Sequence, residues 1–174
     1  GTHRILTSMT LLAGLTSFMI GNAYHAQMPG FAIDLGHGDP GVSYSLLLAA
    51  DAAGALLAGV ALEAWGKLKP TPRTAIVLAM LWCLSLLAFA SIGIYALALV
   101  LLVLAGFFEL SFNTMAQALV QLNAPADIRG RVVGLYNMAG LGMRAFSGIT
   151  VGVAGAAVGI HWSLGLSAAV LMML

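Results

Sequence analysis

The stretch YALALVLLVLAGFFELSFNTMAQALVQL, Tyr95 to Leu122, decides the fold. It is apolar over a length sufficient to cross a bilayer, yet it carries Glu109, Asn113, Gln117 and Gln121 at successive intervals of four. Helical residues four apart lie nearly above one another, so these side chains form one polar stripe on a surface of Leu, Val, Ala and Phe. Such a stripe cannot face hydrocarbon, where an ionisable group costs at least ~3 kcal/mol. Glu109 therefore looks into a protein interior or a water-filled cavity.

The rest of the chain has the same character. Of 174 residues, 61% are hydrophobic and 7% charged, and the mean hydropathy is +1.01, outside the range of soluble domains. The chain reads as an integral membrane protein. A net charge of +1, with no basic run, gives no sign of a nucleic-acid partner. The single cysteine, Cys83, has no mate, so neither a disulfide nor a cysteine-based metal site is available within the chain. No nucleophile with a base, no metal-ligand spacing and no phosphate loop appears, so no enzyme and no cofactor is implied.

Apolar spans are expected at about 5–28, 41–65, 74–92, 95–122 and 132–158, followed by a short sixth from Ser163. The joints between them hold all five prolines. Residues 163–174 are too few for the ~20 that a crossing needs. The chain also starts with Gly and stops inside an apolar run, so it reads as part of a longer protein. Arg4, Lys67, Lys69, Arg73, Arg129 and Arg131 fall at the first end or in alternate joints. The positive-inside rule then makes the chain start and joints 66–73 and 123–131 cytoplasmic, in a multi-pass protein of the cell (inner) membrane.

Polarity is confined to four of the six spans: Asn22, His25 and Gln27 in the first, Asp51 in the second, the stripe in the fourth, Asn137 and Arg144 in the fifth. Those four are expected to line a polar path, with the third and sixth against lipid. Asp51, Glu109 and Arg144 each lie ten to fourteen residues from a span end. At ~1.5 Å per residue that is roughly 15 to 21 Å, near the bilayer midplane. Glu109 and Arg144 suit a charge pair, structural or functional, which would leave Asp51 without a cationic partner and free to titrate. Asn113, Gln117 and Gln121 suit hydrogen bonding between helices. His25, near a span end and with no second His at ligand spacing, reads as an interfacial residue.

Gly59-Val-Ala-Leu-Glu63-Ala-Trp-Gly66 and Gly152-Val-Ala-Gly-Ala-Ala-Val-Gly159 share the pattern G-V-A-x-x-A-x-G at opposite membrane faces, as a three-plus-three inverted repeat requires. Counting back eight from the first Gly of each copy reaches Asp51 and Arg144. The fifth span also has G-x-x-x-G pairs at 148/152 and 155/159, which suit either static packing or a surface for rocking.

These residues resemble the C-terminal half, helices seven to twelve, of a major facilitator superfamily transporter, over the whole chain. The loop Asn123-Ala-Pro-Ala-Asp127-Ile-Arg129-Gly130-Arg131-Val132, with Gly134-Leu135, is similar to the loop after helix ten in the bacterial efflux branch that includes enterobactin exporters. Gly59, Glu63, Gly66, Lys67 and Lys69 resemble the second, degenerate copy of the superfamily loop motif, with Ala64 where the full form is basic. The fifth span lacks the proline of the antiporter glycine motif, which leaves the direction of transport open. The resemblance implies an all-helical six-helix half-bundle. It implies transport by alternating access, expected here as proton-coupled export of an amphipathic small molecule, with Asp51, Glu109, Arg144, Asn113, Gln117, Asn137 and Asn22 on the path. Gly59, Glu63, Gly66, Lys67, Arg129, Gly130 and Arg131 would form gating loops. The implied partners are the lipid bilayer, a small-molecule substrate, and an N-terminal six-helix half or another membrane protein covering the polar face. The competing reading is a transporter-like assembly factor or structural subunit of a larger membrane complex.

Overall fold

A segment inside a bilayer must satisfy its own backbone hydrogen bonds, so an apolar chain of this length has to become helices. The computed structural model describes residues 2–36, 41–65 and 69–173, and these are helical almost throughout. The elements are α1 (Thr2–Met19), α2 (Ala23–Ala26), α3 (Met28–Asp34), α4 (Val42–Trp65), α5 (Pro72–Ser91), α6 (Tyr95–Asn123), α7 (Arg129–Asn137), α8 (Ala154–Val158) and α9 (Ile160–Met173). Wide π-type turns occupy Met138–Gly142 and Gly148–Val153. Among the described residues four segments are long and apolar enough to cross a membrane: His3–Ala26, Val42–Ala64, Pro72–Ser91 and Tyr95–Asn123.

The first span is not the single helix to Met28 that the apolar run predicts. Gly21 adopts φ +48°, a conformation that ends α1 and that residues with a side chain rarely take. A β-carbon at Gly21 would also strike the Ser17 carbonyl and the Ser147 side chain, so this glycine lets the first span close onto the fifth. The break resets the helix rotation and turns Tyr24 and His25 inward. The expected joint at 29–40 shrinks as well: α3 continues to Asp34, with Pro29 in its first turn, where the missing N–H costs nothing. The fifth span is likewise interrupted, by the two π-type stretches and a turn at Ala145 and Phe146. Five glycines fall between positions 134 and 152 and leave the backbone free to depart from α geometry; π-type turns, rare elsewhere, are frequent at functional sites.

The tightest packing is between α4 and α6. A β-carbon at Gly54 would land on the Val103 carbonyl and one at Gly106 on the Asp51 carbonyl, so the two backbones touch where two glycines face each other. Two apolar clusters stack along the bundle. Met9, Ala79, Phe112, Met115 and Tyr136 pack toward the end that carries Arg4, Lys69 and Arg129. Ile20, Phe31, Leu86, Phe89, Leu102 and Leu164 pack toward the opposite end. The third and sixth spans therefore do more than face lipid: α5 and α9 fill the core with Trp82, Leu86, Phe89, Leu164 and Ala168 while exposing Ile76, Val77, Leu84 and Val170. At the opposite end the His161 Nδ1–H donates to the Ala90 carbonyl at 2.7 Å, and its Nε2 lies 3.3 Å from Asp34. The Tyr95 hydroxyl donates to the Ser43 carbonyl at 2.6 Å.

Candidate functional site

Through Tyr24, in the second of these clusters, runs a continuous line of polar side chains drawn from four spans. His25 Nε2 is 2.9 Å from Asp51 Oδ2. The Tyr24 hydroxyl oxygen is 3.3 Å from Asp51 Oδ1 and 3.2 Å from Glu109 Oε2. Arg144 Nη2 donates to Glu109 Oε1 at 3.4 Å. Tyr24 and Asp51 are buried, while the side chains of His25 and Arg144 at the two ends are 28% and 32% exposed. The line therefore runs from one partly open end to the other through a closed middle.

Each member is placed by a local feature. The left-handed turn at Gly21 aims Tyr24 and His25. The Gly54–Gly106 crossing brings α4 and α6 close enough for one phenol to reach both carboxylates. The turn after Arg144 holds it near Glu109, and the Ser147 hydroxyl donates back to the Arg144 carbonyl at 2.8 Å.

Beside Arg144 opens a cavity of about 300 Å³ between α1, α6 and the fifth span, lined by Ser17, Asn113, Gln117, Tyr136, Asn137 and Arg144 among others. Its walls mix amide and guanidinium donors with Ala13 and Leu141. A groove of about 340 Å³ between α1, α5 and α9 is almost wholly apolar, with little besides the Ser8 hydroxyl to orient a ligand. Directional chemistry therefore belongs to the first cavity.

Glu109, Arg144, Asn113, Gln117 and Asn137 thus meet in one region, joined through Tyr24 to Asp51. Gln121 leaves the stripe for a separate, open cleft with Arg129 and Gly130 toward the basic end. Asn22 is exposed and belongs neither to the polar line nor to the cavity lining. Two expectations change. Asp51 is not without a basic neighbour, and His25 is not merely interfacial, because the reset after Gly21 places the imidazole on that carboxylate. Among the gating residues, Glu63, Gly130 and Arg131 are exposed, and Arg129 Nε donates to the Ala124 carbonyl at 3.4 Å. Gly59 makes only an ordinary approach to Leu110. Gly66 and Lys67 lie outside the described residues. No group of metal-binding side chains occurs among the described residues.

Sequence reasoning missed Tyr24, which is the hinge of the line. A phenol within a span must find a polar partner for its hydroxyl, and its place between Asn22 and His25 was the available signal.

The model of the Major Facilitator Superfamily matches residues 3–174. The chain belongs to this superfamily. Its members are secondary transporters, and a major facilitator chain with these apolar helices is a multi-pass membrane protein. The fold is an all-helical half-bundle of that type. No individual characterised protein and no solved structure shows significant similarity to it.

Proposed function

We propose that this chain forms the C-terminal half of a proton-coupled antiporter that exports an amphipathic small molecule across the cell (inner) membrane by alternating access. The observation that carries this reading is the Tyr24 hydroxyl held between two carboxylates at 3.3 and 3.2 Å. A phenol has one proton to donate, so it can satisfy only one carboxylate as a donor. Both contacts become hydrogen bonds only when one of the acids is protonated and donates to the phenol oxygen. The Asp51–Tyr24–Glu109 unit thus offers a place for one additional proton, and Arg144 links that place to the cavity.

Amide donors beside Ala13 and Leu141 suit a substrate with a polar head and an apolar body. The partly exposed Arg144 and the amide-lined cavity beside it cannot face hydrocarbon and call for a covering surface, which an N-terminal six-helix half would supply. The resemblance of the 123–135 loop to the enterobactin-exporter branch supports export, and the basic end is assigned to the cytoplasm.

The test is transport by the full-length protein in proteoliposomes under an imposed pH gradient. Glu109→Gln and Tyr24→Phe should assemble and bind substrate but lose gradient-driven accumulation. Transport with unchanged dependence on the gradient in both variants would remove this unit from coupling.

A further inference from the structure

We propose that the cavity recognises a carboxylate on the substrate through Arg144, and that Glu109 is the counter-charge which the carboxylate displaces. The inference rests on the transporter reading and adds a substrate class to it. Its basis is the incomplete way in which Arg144 is paired. An arginine presents five N–H donors in a planar fork that fits a carboxylate in a two-point contact. Glu109 does not provide that contact. Its Oε1 takes a single bond from Nη2 at 3.4 Å, close to the limit of a hydrogen bond. Its Oε2 is turned away, 3.2 Å from the Tyr24 hydroxyl. Glu109 is divided between two partners and cannot close the fork.

The remaining donors on the guanidinium are left in need. Nε is buried and has no hydrogen-bond partner among the described residues, a condition that a native structure normally avoids. The side chain is still 32% exposed, and it borders the cavity with the amides of Asn113, Gln117 and Asn137. Arg144 is the charged residue in that lining, and no acid accompanies it. A planar oxyanion entering the cavity would meet the exposed part of the Arg144 guanidinium, amides able to donate to its second lone pairs, and no acid in the lining; the fork is completed once Glu109 is displaced. The cavity volume of about 300 Å³ admits an aromatic carboxylate head, leaving Leu141 and Ala13 to contact the ring.

One guanidinium balances one anion, so a bound carboxylate and an ionised Glu109 compete for Arg144, and Glu109 is the group that the carboxylate has to displace.

The experiment is calorimetric titration of the full-length protein in detergent with benzoate, and with benzamide as the uncharged probe of equal shape. Benzoate should bind at least ~10-fold more tightly than benzamide, the factor that one charge-assisted contact supplies. Arg144→Lys keeps the charge and loses the fork, so it should retain the melting temperature and lose most of the preference. Glu109→Gln removes the competitor and should tighten benzoate while leaving benzamide unchanged. Equal binding of the two probes, a preference unchanged in Arg144→Lys, or no response of benzoate to Glu109→Gln would each overturn the proposal. Loss of the proton role with the benzoate preference intact would defeat the coupling reading and leave the anion site standing.

Discussion

Gly54 and Gly106 mark the point where α4 and α6 come closest, and alanine at either position tests whether that approach assembles the polar line. A β-carbon at Gly54 would land on the Val103 carbonyl and sit 2.9 Å from the Phe107 backbone nitrogen; one at Gly106 would land on the Asp51 carbonyl and sit 3.2 Å from the Ala55 nitrogen. These are backbone atoms, so no rotamer change makes room. Restoring a contact of ~3.5 Å at the Phe107 nitrogen alone requires the helices to part by ~0.6 Å, and relieving the carbonyl requires more. Tyr24 bridges the two helices and cannot follow both. Its 3.3 Å contact with Asp51 is already near the outer limit and would be lost. Overpacking costs ~1 to 3 kcal/mol, whereas replacing a helical glycine by alanine returns at most ~1 kcal/mol. Gly59, on the same helix, is the internal control. A β-carbon there meets the Leu110 side chain at 3.8 Å, an ordinary contact, so Gly59→Ala should be neutral or slightly stabilising. Thermal denaturation of the full-length protein in detergent, with gradient-driven transport measured alongside, separates the cases. If Gly54→Ala and Gly106→Ala match Gly59→Ala in both, the close crossing does not hold the site together.

Two further outcomes follow from the pairing and the topology. In a double-mutant cycle scored by detergent stability, Glu109→Gln and Arg144→Gln should each cost ~1 to 3 kcal/mol, with the double variant costing less than the sum by ~0.5 kcal/mol or more. Asp51 and Arg144 are joined only through Tyr24 and Glu109, so their cycle should show a smaller coupling than that of Glu109 and Arg144; an equal or larger one would place Arg144 on the wrong acid. Single cysteines at Lys69 and Asp127, in a Cys83→Ser background, should react with an impermeant maleimide only from the cytoplasmic side, and one at Ile94 only from outside. Labelling of Ile94 from the cytoplasm would invert the assigned orientation.

Much of the framework is legible in the residues because a bilayer leaves few options. Long apolar runs must be helices, the joints must hold the prolines, and a polar stripe such as Glu109, Asn113 and Gln117 must turn inward. Helical periodicity also makes Asn113 and Gln117 neighbours without reference to any other span. Where local chemistry allows more than one backbone path, the reading fails. The run through Met28 is apolar enough to continue as one helix, yet the chain takes a left-handed turn at Gly21, where Ser147, more than a hundred residues away, stands so close that a β-carbon would strike it. The fifth span has so many glycines that its helix can widen into π-type turns, and neighbours decide where it does.

Counting residues along each helix is enough to expect Asp51, Glu109 and Arg144 at one level, and the structure joins all three in one polar line. Which of them meet is a question of rotation and lateral distance, and neither is encoded within a single span. The Gly54–Gly106 crossing supplies the distance, and the break at Gly21 supplies the rotation that turns Tyr24 between the acids and His25 onto Asp51. That is why an unremarked tyrosine and a histidine read as interfacial became members of the site, while Asn22, only two residues before Tyr24, was turned out of it.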